Sequence, residues 1–244
     1  MFVLSGIGEF FKAVFYQPLF NLLILFCAFI PGQNLGWAII ALTVVSKILL
    51  YPSNQQALKS QKAMSEIQPL VQAIQKKYKD DKQKQAEEMM KLYKEKNFNP
   101  FSGFAPLLIQ LPIFIALYQI FIAGVGQEQM NMLYSFVPRP DQISQMFLGL
   151  DLSKPNMIFA VAVGIAQYFQ TKTSLSVAPK NLDKDDKAAQ FSSMMQNYTL
   201  YFFPVLTVMI LAALPSAVGL YWMATTVFAI GQNYLFFKKN VKIQ

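Results

Sequence analysis

The 244-residue chain contains no histidine and a single cysteine. Histidine-based acid–base catalysis, histidine/cysteine metal clusters and an intrachain disulfide are therefore excluded, and no metal or cofactor is expected. Charge is also scarce, at 14% of residues, and acids are outnumbered by bases, 13 to 21. No glycine-rich loop followed by lysine is present to cradle a nucleotide phosphate. The opening stretch, MFVLSGIGEFFK, lacks a basic leader before an apolar core, so a cleaved signal peptide is not expected. Cys27 follows the bulky Phe26, a poor lipoprotein cleavage site, and reads as an apolar filler.

Apolar residues take the place of what is missing. The chain is 54% hydrophobic, with a mean hydropathy of +0.33, more than a soluble domain carries. Residues 35–52, LGWAIIALTVVSKILLYP, reach ~27 Å as a helix, close to the hydrocarbon thickness of a bilayer. Within this run stands Lys47. A cation near the middle of a span costs ~2.5–3.5 kcal/mol on insertion scales. Two readings are open. Either Lys47 faces a bundle interior or wet cavity as a functional group, or it lies near the cytoplasmic end and snorkels its ammonium to the interface.

Four more spans are predicted at 103–125, 155–173, 194–214 and 216–237. An earlier apolar stretch, 10–30, contains Gln17, Pro18 and Asn21 and ends at Pro31-Gly32. Its most apolar part is short for a span. It is expected to lie in the interface as an amphipathic helix, with a sixth crossing as the rival. Placing the segment after Lys47 in the cytoplasm puts 17 Lys and Arg on that side, against Lys12, Arg139 and Lys154 on the other. The positive-inside rule then sets the N-terminus outside and the C-terminus inside.

The polar stretch 53–100 predicts a cytoplasmic helical hairpin. Met64, Ile67, Val71, Ile74 and Tyr78 step by three and four, and Ala86, Met89 and Tyr93 resume that spacing after a break at 79–82. Its ten lysines outnumber six acids, a surplus suited to anionic headgroups or ribosomal RNA, or simply to a solvated face. Met64, Met89, Met90, Met194 and Met195 cluster towards the same side, fit either for adaptable apolar contact or for filling gaps. The expectation is an all-α membrane protein of one domain, 1–244: five transmembrane helices, the hairpin and the N-terminal interfacial helix.

The run 106–118, PLLIQLPIFIALY, resembles the signature of the YidC/Oxa1/Alb3 family of membrane protein insertases. TVVSKILLYP at 43–52, the hairpin sequence at 67–95, LPSAVGLYW at 214–222 and QPL at 17–19 agree with it. The resemblance is to the short bacterial type, expected to lack both a large extracytoplasmic domain and a long basic tail. It implies a hydrophilic groove open to cytoplasm and lipid and closed outside. In the family an arginine on the first span supplies a positive charge there. Lys47, four residues before Tyr51-Pro52, stands at that position. Lysine keeps the charge but loses the planar five-donor fork. By the same resemblance Thr43, Gln110, Gln170, Tyr221, Trp222 and Thr225 would line the groove. Each also has a plain structural reading: Thr and Gln bridge helices, and Tyr and Trp anchor at interfaces.

The implied activity is insertion and folding of nascent membrane proteins in the bacterial cell membrane, with no bond made or broken. The lipid bilayer is a partner, the ribosome and the Sec translocon are open ones, and DNA is not. A small-solute or ion transporter is the rival class, since an intramembrane cation also suits an anion path; a chaperone that holds helices without inserting them is another.

Overall fold

The computed structural model describes residues 2–99, 105–175, 194 and 197–241. The start of the expected 103–125 span, Met195, Lys180, Lys184, Lys187 and Lys242 lie outside the described residues. Among the described residues the fold is all-α apart from one two-stranded ribbon. Helix α1 (Phe2–Phe11) runs through a wide π turn (Lys12–Tyr16) into α2 (Gln17–Phe29). There follow α3 (Leu35–Leu49), α4 (Tyr51–Lys77), α5 (Lys82–Glu95), α6 (Ala105–Ala123), the short α7 (Gln127–Met130), β1 (Met146–Phe147), β2 (Leu150–Asp151) and α8 (Met157–Leu175). A second π turn (Tyr198–Phe202) leads into α9 (Phe203–Leu211), and α10 (Ser216–Val241) closes the chain.

Both π turns precede a proline, Pro18 and Pro204. A proline ring clashes with the carbonyl four residues back, here Val14 and Leu200, each inside a widened turn. The extra residue makes room for the ring without ending the helix. Pro52 acts differently. The predicted first span, 35–52, includes Tyr51-Pro52, but α3 stops at Leu49 and the chain turns by 64° into α4. Proline supplies no N–H to continue α3 and suits the first turn of a new helix.

Helix α4 has 27 residues, begins at Tyr51 and continues through Pro69. The break falls at 78–81, where Asp81 caps α5 by accepting from Lys84 N at 3.0 Å. Of the expected seam, Ile67 and Val71 are buried, with Leu92 opposite, while Met64 and Ala86 are exposed. The buried face of α5 is turned by one residue from the predicted one.

The core is formed by α2, α3, α6, α8 and α10, with Phe20, Leu23, Ile24, Ile39, Leu42, Leu117, Ile120, Val163 and Val218 at its centre. Outside it, Val44, Ile48, Leu108, Ile158, Val161, Ile165, Val205 and Met209 are exposed, an apolar surface that water would penalise. Among the described residues, Gly6–Phe29 is the single helix that is long and apolar enough to cross a membrane without a break. It contains the segment expected at the interface. The bent pair α3–α4 passes the same test together.

The loop from α7 to α8 is stitched to the helices beneath it. Asn21 Nδ2 donates to Gln17 O and Met132 O at 2.8 and 3.0 Å, and its Oδ1 accepts from Tyr134 N at 2.6 Å. Asn34 caps α3 by accepting from Gly36 N at 3.0 Å and donates to Met146 O at 2.8 Å. At the far end Ser216 Oγ donates to Lys154 O at 2.6 Å. Phe147 lies directly on Gly36, where any Cβ would meet its ring, and edge-on to Trp37 at 5.2 Å. Asn21→Leu is expected to strand the Tyr134 N–H, at about 1–3 kcal/mol, while the Met132 carbonyl keeps its bond from Gln17 Nε2 at 3.1 Å. The measurement is the midpoint of heat unfolding in detergent, which should fall below that of Asn21→Gln.

Candidate functional site

Three helices converge on Lys47. Four-residue spacing on α3 puts it on the same inner face as Thr43, Ile39 and Leu42, and only 8% of it is exposed. Its Nζ donates to Gln110 Oε1 on α6 at 3.0 Å. Gln110 Nε2 in turn donates to the hydroxyl of Tyr221 on α10. The amide thus relays between ammonium and phenol. Thr225, one turn beyond Tyr221, has its Oγ1 buried beside that hydroxyl but out of hydrogen-bonding geometry. Trp222 stands edge-on to Phe114 of α6 at 5.3 Å and flanks the cluster.

Among the described residues no carboxylate pairs with Lys47, and it is the one charged side chain in the buried set. An ammonium has three donors, and Gln110 accepts one of them. The remaining two seek acceptors. Water and an incoming carboxylate would both satisfy them.

The other sequence-predicted residues take different places. Thr43 is buried and donates back to Ile39 O at 2.7 Å, so its hydroxyl serves its own helix. Gln170 is half-buried near the end of α8, and its carbonyl accepts from Thr173 Oγ1 and Ser174 Oγ. It is not hydrogen-bonded to the Lys47 cluster but belongs to a second polar group. There Asn233 Nδ2 donates to Ser174 Oγ at 2.9 Å, and Gln61 Nε2 donates to Ser174 O at 3.1 Å, joining α10, α8 and α4. Gln167 Oε1 and Gln232 Nε2 are buried with no hydrogen-bond partner among the described residues. Sequence reasoning missed this group. The adjacent amides Gln232-Asn233, within an otherwise apolar helix, were the signal.

The 60Kd inner membrane protein family matches residues 26–243 of this chain. The chain belongs to the YidC/Oxa1 family. Among its relatives is the membrane protein insertase YidC of Clostridium tetani (strain Massachusetts / E88), 34% identical over 205 residues that cover 84% of this chain and 82% of that protein. The membrane protein insertase YidC of Francisella tularensis subsp. novicida (strain U112) is 32% identical over 202 residues, 83% of this chain. That match covers 32% of the Francisella protein, so the chain spans about a third of that relative. As a YidC/Oxa1 member the chain is a bacterial membrane protein, and the resemblance read from its motifs is the correct one.

Proposed function

We propose that this protein inserts membrane proteins into the bacterial cell membrane through a polar groove centred on Lys47. One observation carries the reading: a buried ammonium without a carboxylate partner among the described residues, hydrogen-bonded by Gln110 in a bundle with an apolar exterior. A substrate must bring a polar tail across hydrocarbon, and the desolvation of that tail is the main cost. Lys47 attracts an acidic tail part-way across. The apolar segment of the substrate then leaves sideways into lipid, driven by its own burial at roughly 25 cal/mol per Å². No bond is made or broken, and no nucleotide is consumed.

In this reading α3, α6, α8, the Tyr198–Leu211 helix and α10 are the five spans. The α4–α5 pair and the C-terminus lie in the cytoplasm, where most of the lysines fall. The α7–α8 loop closes the outer end, which its bonds to Asn21, Asn34 and Ser216 support. That loop reaches Gln17 and Asn21 and also Gln33 and Asn34, at the two ends of α2. A helix perpendicular to the membrane would meet an outer loop at one end, so this double contact favours α2 lying along the outer face.

Reconstitution of the purified protein into liposomes tests the function. Insertion of a small single-span substrate with an acidic tail is the expected result. Flux of an anion without insertion would favour the transporter, and binding of the substrate without translocation of its tail would favour the passive chaperone. Topology is checked on a Cys27→Ala background. An impermeant thiol reagent should label Asp141→Cys from outside but Lys82→Cys only after permeabilisation, and equal labelling of both in intact cells would overturn the orientation.

A further inference from the structure

The turn of the two-stranded ribbon carries an unsuitable residue. Phe147 and Leu150 are paired across a two-residue connection, Leu148-Gly149, and both connecting residues have positive φ, +48° and +82°. Such a turn favours Asn-Gly or Asp-Gly, because a branched side chain at positive φ crowds its own backbone. Leucine gains nothing from the protein in return, being 85% exposed. Met146, on the strand leading into the turn, is 53% exposed, and Met157 and Ile158, which begin α8 just beyond the ribbon, are exposed too. Beneath the turn everything is fixed. Phe147 is buried on Gly36, Leu152 N donates to Gln145 O at 2.9 Å, and Ala217 N donates to Leu152 O at 3.0 Å. The ribbon's nearest acid, Asp151, accepts from Ser153 N and Oγ and pairs with Lys154 at 3.0 Å. The ribbon is thus a rigid, charge-compensated support for an apolar tip.

We propose that this tip is a lipid anchor: Leu148, with Met146 beside it, enters the outer leaflet and holds the α7–α8 loop against the bilayer. The occupant is acyl chain. Exposed apolar side chains resume at the start of α8, six residues beyond the ribbon, with Met157 and Ile158, and continue along that helix at Val161 and Ile165. A strained leucine in a water-exposed turn is a cost without return, whereas hydrocarbon rewards that side chain. The proposal rests on the reading that this loop lies at the outer end of the spans.

Nitroxide labels on Leu148→Cys and Asp141→Cys, in the full chain with Cys27→Ala, are compared in phosphatidylcholine/phosphatidylglycerol vesicles. Oxygen partitions into acyl chains and a nickel chelate stays in water. The oxygen-to-nickel accessibility ratio at 148 should exceed that at 141 several-fold. Equal ratios would place the tip in water and overturn the anchor. Exclusion of both reagents at 148 would mean a protein covers it, a second copy included, and would overturn it as well. Impermeant labelling of Asp141→Cys in the same vesicles reports the sidedness independently, so a wrong topology and a wrong anchor give separate signals.

Discussion

Lys47→Glu should nearly abolish insertion of substrates with acidic tails, Lys47→Ala should slow it, and Lys47→Arg should keep it. At an effective dielectric of ~20, unit charges ~8 Å apart interact by ~2 kcal/mol, or roughly thirty-fold in rate. Alanine forfeits that attraction, and glutamate turns it into repulsion, for an upper limit of roughly a thousand-fold. Substrates with neutral tails should respond far less, since the lost interaction is electrostatic. Folding should survive in Lys47→Ala, because removing an intramembrane cation relieves a desolvation cost. Gln110 gives an independent handle. Gln110→Glu would place a carboxylate where the amide now accepts from Lys47, cancelling the site's charge while keeping its shape, and should resemble Lys47→Ala. The measurement is insertion rate in liposomes across tails of graded charge. If Ala and Glu variants insert acidic tails at the rate of the unaltered protein, Lys47 is an interface anchor and the groove reading fails.

Gly164→Ile should lower the stability of this bundle by forcing α8 and α9 apart. Gly164 sits where α8 packs against α9. A Cβ there would strike the Val208 side chain and stand 3.2 Å from the Pro204 carbonyl oxygen. Val208 can adjust, but the backbone carbonyl is held by the helix, so a branched side chain must push the helices apart. Overpacking of this kind costs about 1–3 kcal/mol, and small residues at such crossings are how membrane helices gain van der Waals contact. Heat unfolding in detergent should show a clear drop for Gly164→Ile and a smaller one for Gly164→Ala. Gly231→Ala is the control, because nothing lies within 4 Å of its added Cβ. Equal shifts for alanine at 164 and 231 would mean that the α8–α9 contact does not resist a side chain at 164, and would overturn the packing argument.

What was legible in the sequence follows from the range of the interactions. Apolar runs gave helices 105–123, 157–175 and 216–241 within about a turn of their predicted ends, because a run's length is a local property. Lys47 was legible as a charge in an apolar run. Its link to Gln110 and Tyr221, 63 and 111 residues apart along the chain for the two bonds, was available only through family resemblance. The π turns were illegible because the adjustment lies upstream of the proline that causes it. The seam of α5 was misplaced by one residue because Leu92 and Tyr93 both satisfy the pattern, and it is Leu92 that is buried. Gln61, Ser174 and Asn233 lie far apart along the chain, and only tertiary contact joins them.

The 64° turn at Leu50 makes α4 a lever with its pivot three residues from Lys47. A helix of 27 residues is ~40 Å long, so a swing of ~6° at the pivot carries the far end ~4 Å while the lysine hardly moves. Gln61, less than half-way along, ties the lever to Ser174. In the proposed reading, a load on the distal α4–α5 pair would be geared down before it reached the ammonium, leaving the charge at Lys47 in place.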